Sequence, residues 1–211
     1  MLTKEEAKHL ITHTKKTRKY MWDYRNHAII YLMMTGGLRS VEIINAKKED
    51  YKIIEGKHIL YVQREGLEKD LECVNLSKGT IEALNDYLNK RDDENPYLFI
   101  SHYKASDKDH LSNGYLSVMF KRLLKTCQMS HLNITPHALR HTAATFNLLR
   151  GGTIAQTKSL MRHVDIKSTL LYQDHLNRMG DHVEEKLEAF ILREEASDIY
   201  RDFIRYLEAD F

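Results

Sequence analysis

Cysteine is nearly missing from this chain: Cys73 and Cys127 are the only two in 211 residues. They fit no metal-ligand spacing and cannot build a disulfide framework, which points to a reducing compartment, the cytoplasm. Long apolar runs are missing too. The strongest, "AIIYLMM" (28–34), is far short of the roughly 20 residues a membrane span needs. No basic segment followed by an apolar stretch opens the chain, so no secretory signal is read. Low-complexity segments and internal repeats are also absent, and there are only two prolines. With 42% hydrophobic and 29% charged residues, the chain has the composition of a globular protein with a sizeable core.

A net charge of only +2 conceals a division. From Asp181 to Phe211 there are ten acidic and four basic residues, a net of −6, which leaves +8 on residues 1–180. A basic body suits a polyanionic partner, although lysine excess also serves solubility alone.

The patterning is mostly helical. "LTKEEAKHLITHTKK" reads as a helix with Thr3 as N-cap and Glu6 closing a capping box. Leu2, Ala7, Leu10 and Ile11 lie along one side of it. A second helix runs from about Trp22 to Met34 and stops at Gly36-Gly37, and "RSVEIINA" (39–46) starts a short third. "YKII", "HILYVQ" and "LECVNL" are short β-branched or aromatic runs, which predict a small three-stranded antiparallel sheet. Helix returns in "SKGTIEALNDYLNKR", with Ile81, Leu84 and Leu88 as the apolar stripe, and "YLFIS" reads as a brief strand or extended segment. Beyond residue 111 four more helical stretches follow, and the tail from Asp181 is a further amphipathic helix or two. The fold class expected is mainly α with a small three-stranded antiparallel sheet.

Three stretches concentrate chemistry. In "TPHALRHTAATF" (135–146), Thr135 can cap a helix and Pro136 fits its first position. His137, Arg140 and His141 then share one side at the start of that helix, where free N–H groups and the helix dipole favour an anion such as phosphate. In "TGGLRSVEI" (35–43), two glycines permit a sharp turn that delivers Arg39, with Glu42 one turn on to hold its guanidinium. In "LMRHVDIKSTLLYQD" (160–174), His163 ends one helix and Tyr172 follows nine residues later. Taken singly, each is an ordinary surface or core feature.

Taken in order, Arg39, then His137-x-x-Arg140, then His163, then Tyr172, the pattern resembles the catalytic domain of the tyrosine recombinases, the phage integrase family. The resemblance covers about four-fifths of the chain, from "LTKEEAKHLI" through Tyr172. It implies the tyrosine recombinase/integrase catalytic-domain fold over residues 1–177. It also implies a C-terminal helical tail, 178–211, docking in cis or in trans, and the absence of the N-terminal DNA-binding domains that family members commonly carry. The implied activity is that of a site-specific recombinase or integrase, which cuts and rejoins DNA through a 3′-phosphotyrosyl intermediate to integrate or excise a mobile element.

By the same resemblance, Arg39 and Arg140 clamp the scissile phosphate and His137 is the acid/base or hydrogen-bonding histidine. His163 donates to the phosphate, and Tyr172 is the nucleophile. No cofactor and no metal are implied. The partners are double-stranded DNA and three further copies in a homotetramer on synapsed DNA, with a monomer expected without DNA and no membrane association. The family's catalytic lysine lies in the turn between the second and third strands, which here reads "REGLEKD". Lys69 is the preferred candidate and Arg64 the runner-up, arginine being a poor proton donor. "MRH" (161–163) replaces the family's more usual "LGH", and His141 is left without an assigned role. The alternatives are a catalytically silent helix-turn-helix-like DNA-binding module, which does not account for Arg39 and its glycines, and a metal hydrolase using the histidines, for which no carboxylate completes a site.

Overall fold

The computed structural model describes residues 1–63, 71–102, 110–163 and 166–180, with side chains as far as Gln173. The chain divides into two compact units, Met1–Leu170 and Leu171–Phe211. In the first, helices α1 (Lys4–Lys16), α2 (Met21–Thr35) and α3 (Ser40–Asn45) precede strands β1 (Tyr51–Ile54), β2 (Lys57–Gln63) and β3 (Leu71–Asn75). Helices α4 (Lys78–Leu88), α5 (Asn113–Thr126), α6 (Pro136–Leu149) and α7 (Ile154–Met161) follow, and α8 (Lys167–Gly180) begins in the first unit and runs into the second.

Helix α1 starts as the sequence predicts. Glu6 donates its backbone N–H to Thr3 Oγ1 at 3.2 Å, and Thr3 returns its own N–H to Glu6 Oε2 at 2.7 Å. Helix α2 is the centre of the unit, packed against α1, α4 and α6. It is buried on nearly every side, as an apolar helix inside a core must be. Burying Ile29, Ile30, Leu32 and Met33 fully contributes roughly 1.5–3 kcal/mol each. Arg25 shares that interior because its guanidinium is satisfied, donating to Ile100 O at 2.6 Å, Tyr115 Oη at 2.7 Å and Asn26 Oδ1 at 2.9 Å.

The sheet has the order β1-β2-β3, antiparallel throughout, with Tyr51 opposite Leu60 and Leu60 opposite Val74. Leu60, Val62 and Val74 turn inward, while Ile53 and Leu71 face water. The β1–β2 hairpin closes on Glu55 and Gly56, both at positive φ.

Two local expectations need correction and one is narrowed. Of the two readings of "YLFIS", brief strand or extended segment, the strand does not form. Tyr97 pairs singly with Lys47 and Ile100 with His110, so the segment takes its bonds from two separate neighbours and no ladder develops. The buried stripe of α4 is Thr80, Ala83, Leu84 and Tyr87, with Ile81 and Leu88 only half-buried. Thr80 goes inward because its hydroxyl lies 2.9 Å from that of Thr35, and Tyr87 because its hydroxyl meets His102 Nε2 at 3.0 Å. Thr135 flanks α6 in extended conformation, but its side chain makes no capping bond.

Candidate active site

The site is built around the turn that ends α2. Gly37 has φ +60, a conformation that costs a residue with a side chain roughly 1–2 kcal/mol. At Gly36 a Cβ would lie 2.9 Å from the Leu32 carbonyl, so backbone leaves it no space. These two glycines let the chain reverse tightly and present their carbonyls to incoming arginines.

Arg39 follows as the N-cap of α3 in extended backbone. Its N–H donates to Glu42 Oε2 at 2.7 Å and its Nη1 to Glu42 Oε1 at 2.7 Å. Glu42, with a side chain only 2% exposed, holds an arginine side chain that is 20% exposed. Burial alone would raise the Glu42 carboxyl, but the hydrogen bond and charge of Arg162, with Arg39, outweigh it and hold the group below the usual carboxylate range. The carboxylate is therefore ionised near neutral pH.

Arg140 arrives from α6. The histidines on either side of it, His137 and His141, are exposed, but Arg140 itself is 6% exposed and reaches inward. Its Nη1 donates to Gly37 O and its Nη2 to Met161 O. The shared face read from the sequence thus divides, with a buried arginine between exposed imidazoles one turn apart. His141 is held below the ordinary imidazole range by desolvation of its ring and by the charges of His137 and Arg140.

Helix α7 closes the cluster. It ends with Arg162 in the left-handed conformation (φ 51), and the His163 N–H reaches back to Lys158 O at 3.2 Å, the pattern of a Schellman cap. Glycine is the ordinary residue at such a position. Arg39 Nη2 donates to the Arg162 carbonyl at 3.2 Å, which ties α7 to the glycine turn. His163 Nδ1 lies 2.9 Å from Thr169 Oγ1 on α8. Desolvation, then the charges of Arg140, Arg39 and Arg162, push the His163 ring down to about 4. It is neutral at pH 7, and when the Thr169 hydroxyl donates to Nδ1, the ring proton sits on Nε2 and is available to donate.

Arg39, Arg140 and His163 are thus brought to one place from three distant parts of the chain. His137 stands on the first turn of α6, one turn before Arg140. Tyr172 lies on α8, within the second unit. Lys69, Arg64 and the rest of the "REGLEKD" turn, like the tail from residue 181, lie outside the described residues. Sequence reasoning missed Arg162 and Thr169. A signal for the first was present, since an arginine stands between the last residue of a helix and His163, where a cap residue of left-handed conformation is needed. Thr169 carries no pattern of its own. Among the described residues, no three His, Cys, Asp or Glu side chains are grouped to hold a metal ion, and no helix is long and apolar enough to cross a membrane.

The model of the phage integrase family matches residues 1–179. The chain belongs to the phage integrase family. Its relatives include the tyrosine recombinase XerA of Thermococcus kodakarensis, 33% identical over 171 residues that cover 81% of this chain and 56% of that protein. A crystal structure of XerA recombinase superposes with TM-score 0.68 at 29% identity, covering 81% of this chain and 57% of the other. XerH site-specific recombinase, in a pre-cleavage complex with its difH substrate, shares the fold with TM-score 0.69 at 20% identity, over 88% of this chain and 51% of that one. The expected tyrosine recombinase catalytic-domain fold is therefore the fold of this integrase-family chain. It spans about half the length of the curated relatives it matches.

Proposed function

We propose that this chain is the catalytic part of a site-specific tyrosine recombinase that cuts and rejoins double-stranded DNA. The observation that carries the reading is the convergence of Arg39 and Arg140 on one glycine turn. Arg140 is fixed to Gly37 O and Met161 O, and Arg39 to Glu42 and Arg162 O. Two guanidinium groups held in this way can face the non-bridging oxygens of a phosphodiester without reorganising as charge develops. Such preorganised stabilisation is often the largest catalytic term.

In the reaction, the Tyr172 hydroxyl attacks phosphorus and loses its proton, with His137 as the exposed group that can accept it. The bond from phosphorus to the 5′-oxygen breaks, and that oxygen takes a proton from Lys69, or from Arg64 if the lysine role is filled there. A 3′-phosphotyrosyl link and a free 5′-hydroxyl result. Neutral His163 donates to a phosphate oxygen beside the arginines. Tyrosine, with an ordinary pKa of about 10, depends on this positive surrounding to react near neutrality. The energy of the broken bond stays in the link, so a second 5′-hydroxyl can reverse the step with no external energy source. The active assembly would be a tetramer on two synapsed duplexes. The helix-turn-helix alternative leaves unexplained why Arg162, in the middle of its stretch, is buried rather than presented to a groove.

The test is incubation with a nicked suicide duplex carrying the element's recombination core. The reading predicts a covalent protein–DNA adduct that survives chelation and is lost in Tyr172→Phe. No adduct from the wild-type chain, or an equal one from Tyr172→Phe, would overturn it.

A further inference from the structure

Arg162 occupies a conformation that penalises every residue with a side chain, and an arginine there calls for a compensating role. Its side chain, 5% exposed, folds back beneath the glycine turn, and each guanidinium nitrogen has an acceptor. Nε meets Glu42 Oε1 at 3.3 Å, Nη1 meets Leu160 O at 2.9 Å and Gly36 O at 3.1 Å, and Nη2 meets Glu42 Oε2 at 2.7 Å and Gly37 O at 3.0 Å. Glu72 on β3 adds a longer ion pair at 3.8 Å. The side chain therefore bolts α7 to the glycine turn and to the strand that follows the candidate lysine turn.

The same residue reaches both phosphate-facing arginines. Arg39 is held twice, directly by the Arg162 carbonyl at 3.2 Å and indirectly through Glu42, whose Oε1 accepts from both guanidinium groups and whose Oε2 accepts from Arg162 Nη2 and the Arg39 backbone N–H. Arg140 is reached through Gly37 O, which accepts from Arg140 and Arg162 together. Without the Arg162 side chain, Glu42 loses the cation that holds it from the side away from Arg39, and Gly37 O loses the donor it has beside Arg140.

We propose that Arg162 is a positioning residue that sets the orientation of Arg39, through Glu42, for the reaction proposed above. The inference rests on that reading only for its kinetic consequence. The orientation itself is a property of the free protein.

Arg162→Gly is the informative variant, because glycine keeps the left-handed backbone and the carbonyl while removing only the side chain. Adduct formation should slow by about 10- to 100-fold, the scale of a misplaced reactive group. In a double-mutant cycle, Arg39→Ala with Arg162→Gly should fall well short of the product of the two separate losses, any remainder passing through Gly37 O to Arg140. A product of the two separate losses would overturn the proposal, as would a wild-type rate in Arg162→Gly.

A second measurement needs no catalysis. In ¹⁵N relaxation of the full chain without DNA, the Arg39 Nε–Hε order parameter should fall in Arg162→Gly, and an unchanged value overturns the proposal. If the wild-type chain forms no adduct, the functional reading fails while this measurement still decides the role of Arg162. Should Arg162→Gly not fold, Arg162→Lys takes its place in both measurements and is read the same way. It keeps a cation against Glu42 but lacks the fork that spans these acceptors.

Discussion

Exchanging Glu42 for glutamine removes one charge and almost no volume, from a side chain only 2% exposed. In the native structure its two oxygens accept from Arg39 N at 2.7 Å, Arg39 Nη1 at 2.7 Å, Arg162 Nη2 at 2.7 Å and Arg162 Nε at 3.3 Å. A glutamine amide offers a single acceptor oxygen. Because each oxygen accepts from both residues, its NH2 must then face N–H groups of Arg39 and Arg162 together, donor against donor, and the buried Arg162 loses its nearest counter-charge. Breaking a buried pair from one side typically costs about 3–5 kcal/mol. For a chain of this size each kcal/mol moves Tm by roughly 2–4 °C, so Glu42→Gln should melt about 6–20 °C below wild type. Thermal and urea denaturation monitored by circular dichroism measure this, and the urea slope should be unchanged if only stability is altered. A Tm within about 2 °C of wild type would mean the carboxylate is not the anchor described, and the argument for a preset Arg39 would fail with it.

Other outcomes follow from the same geometry. His27 and His102 sit with His163 at about 4, each lowered first by burial, so all three are neutral in the native state near pH 7. The unfolded chain, with imidazoles at about 6.5, binds more protons below that value. Stability is therefore fully present above about pH 6.5 and is lost as pH falls toward 4. At pH 5 the fully buried His27 alone accounts for about 2 kcal/mol of the loss, and urea melts of His27→Gln should show a correspondingly flatter pH profile. Arg140→Lys keeps a cation but cannot reach both Gly37 O and Met161 O. Adduct formation should fall by at least about 100-fold, and a rate near wild type would show that charge alone suffices. Gly37→Ala forces φ +60 on a residue with a Cβ, which would lie 3.2 Å from Met161 Sδ. It should lower stability by about 1–2 kcal/mol, and an unchanged urea midpoint would contradict the strained turn. DNA affinity should fall steeply as salt rises, since phosphate contacts release counterions, and a flat dependence would argue against a phosphate-clamping surface.

How much was legible in the sequence depends on how far apart the interacting residues lie. The capping box of α1, the end of α2 at Gly36, the place of Arg39 at the start of α3 and its pairing with Glu42 all act over three or four residues, and each stands where the sequence indicates. The three strands are likewise found almost residue for residue, because alternation and turn residues are local. Arg140 shows the limit. Helical spacing puts it with His137 and His141, but two carbonyls from Gly37 and Met161 draw it inward, and that attraction spans 103 and 21 positions. Arg162 shows it more sharply. In the sequence it is one residue in place of the family's more usual glycine, yet its contacts to Glu42 lie 120 residues away, and nothing short of the folded chain reveals them. The α4 stripe shifted for a similar reason, since polar Thr80 and Tyr87 are drawn inside by Thr35 and His102.

The central claim is that Tyr172 attacks a DNA phosphate held by Arg39 and Arg140. It is tested most directly by digesting the adduct trapped on a nicked substrate with protease and nuclease, then mapping the modified peptide by mass spectrometry. The account predicts a nucleotide attached through its 3′-phosphate to Tyr172. Attachment to any other of the twelve tyrosines, or a peptide carrying no nucleotide, would contradict it.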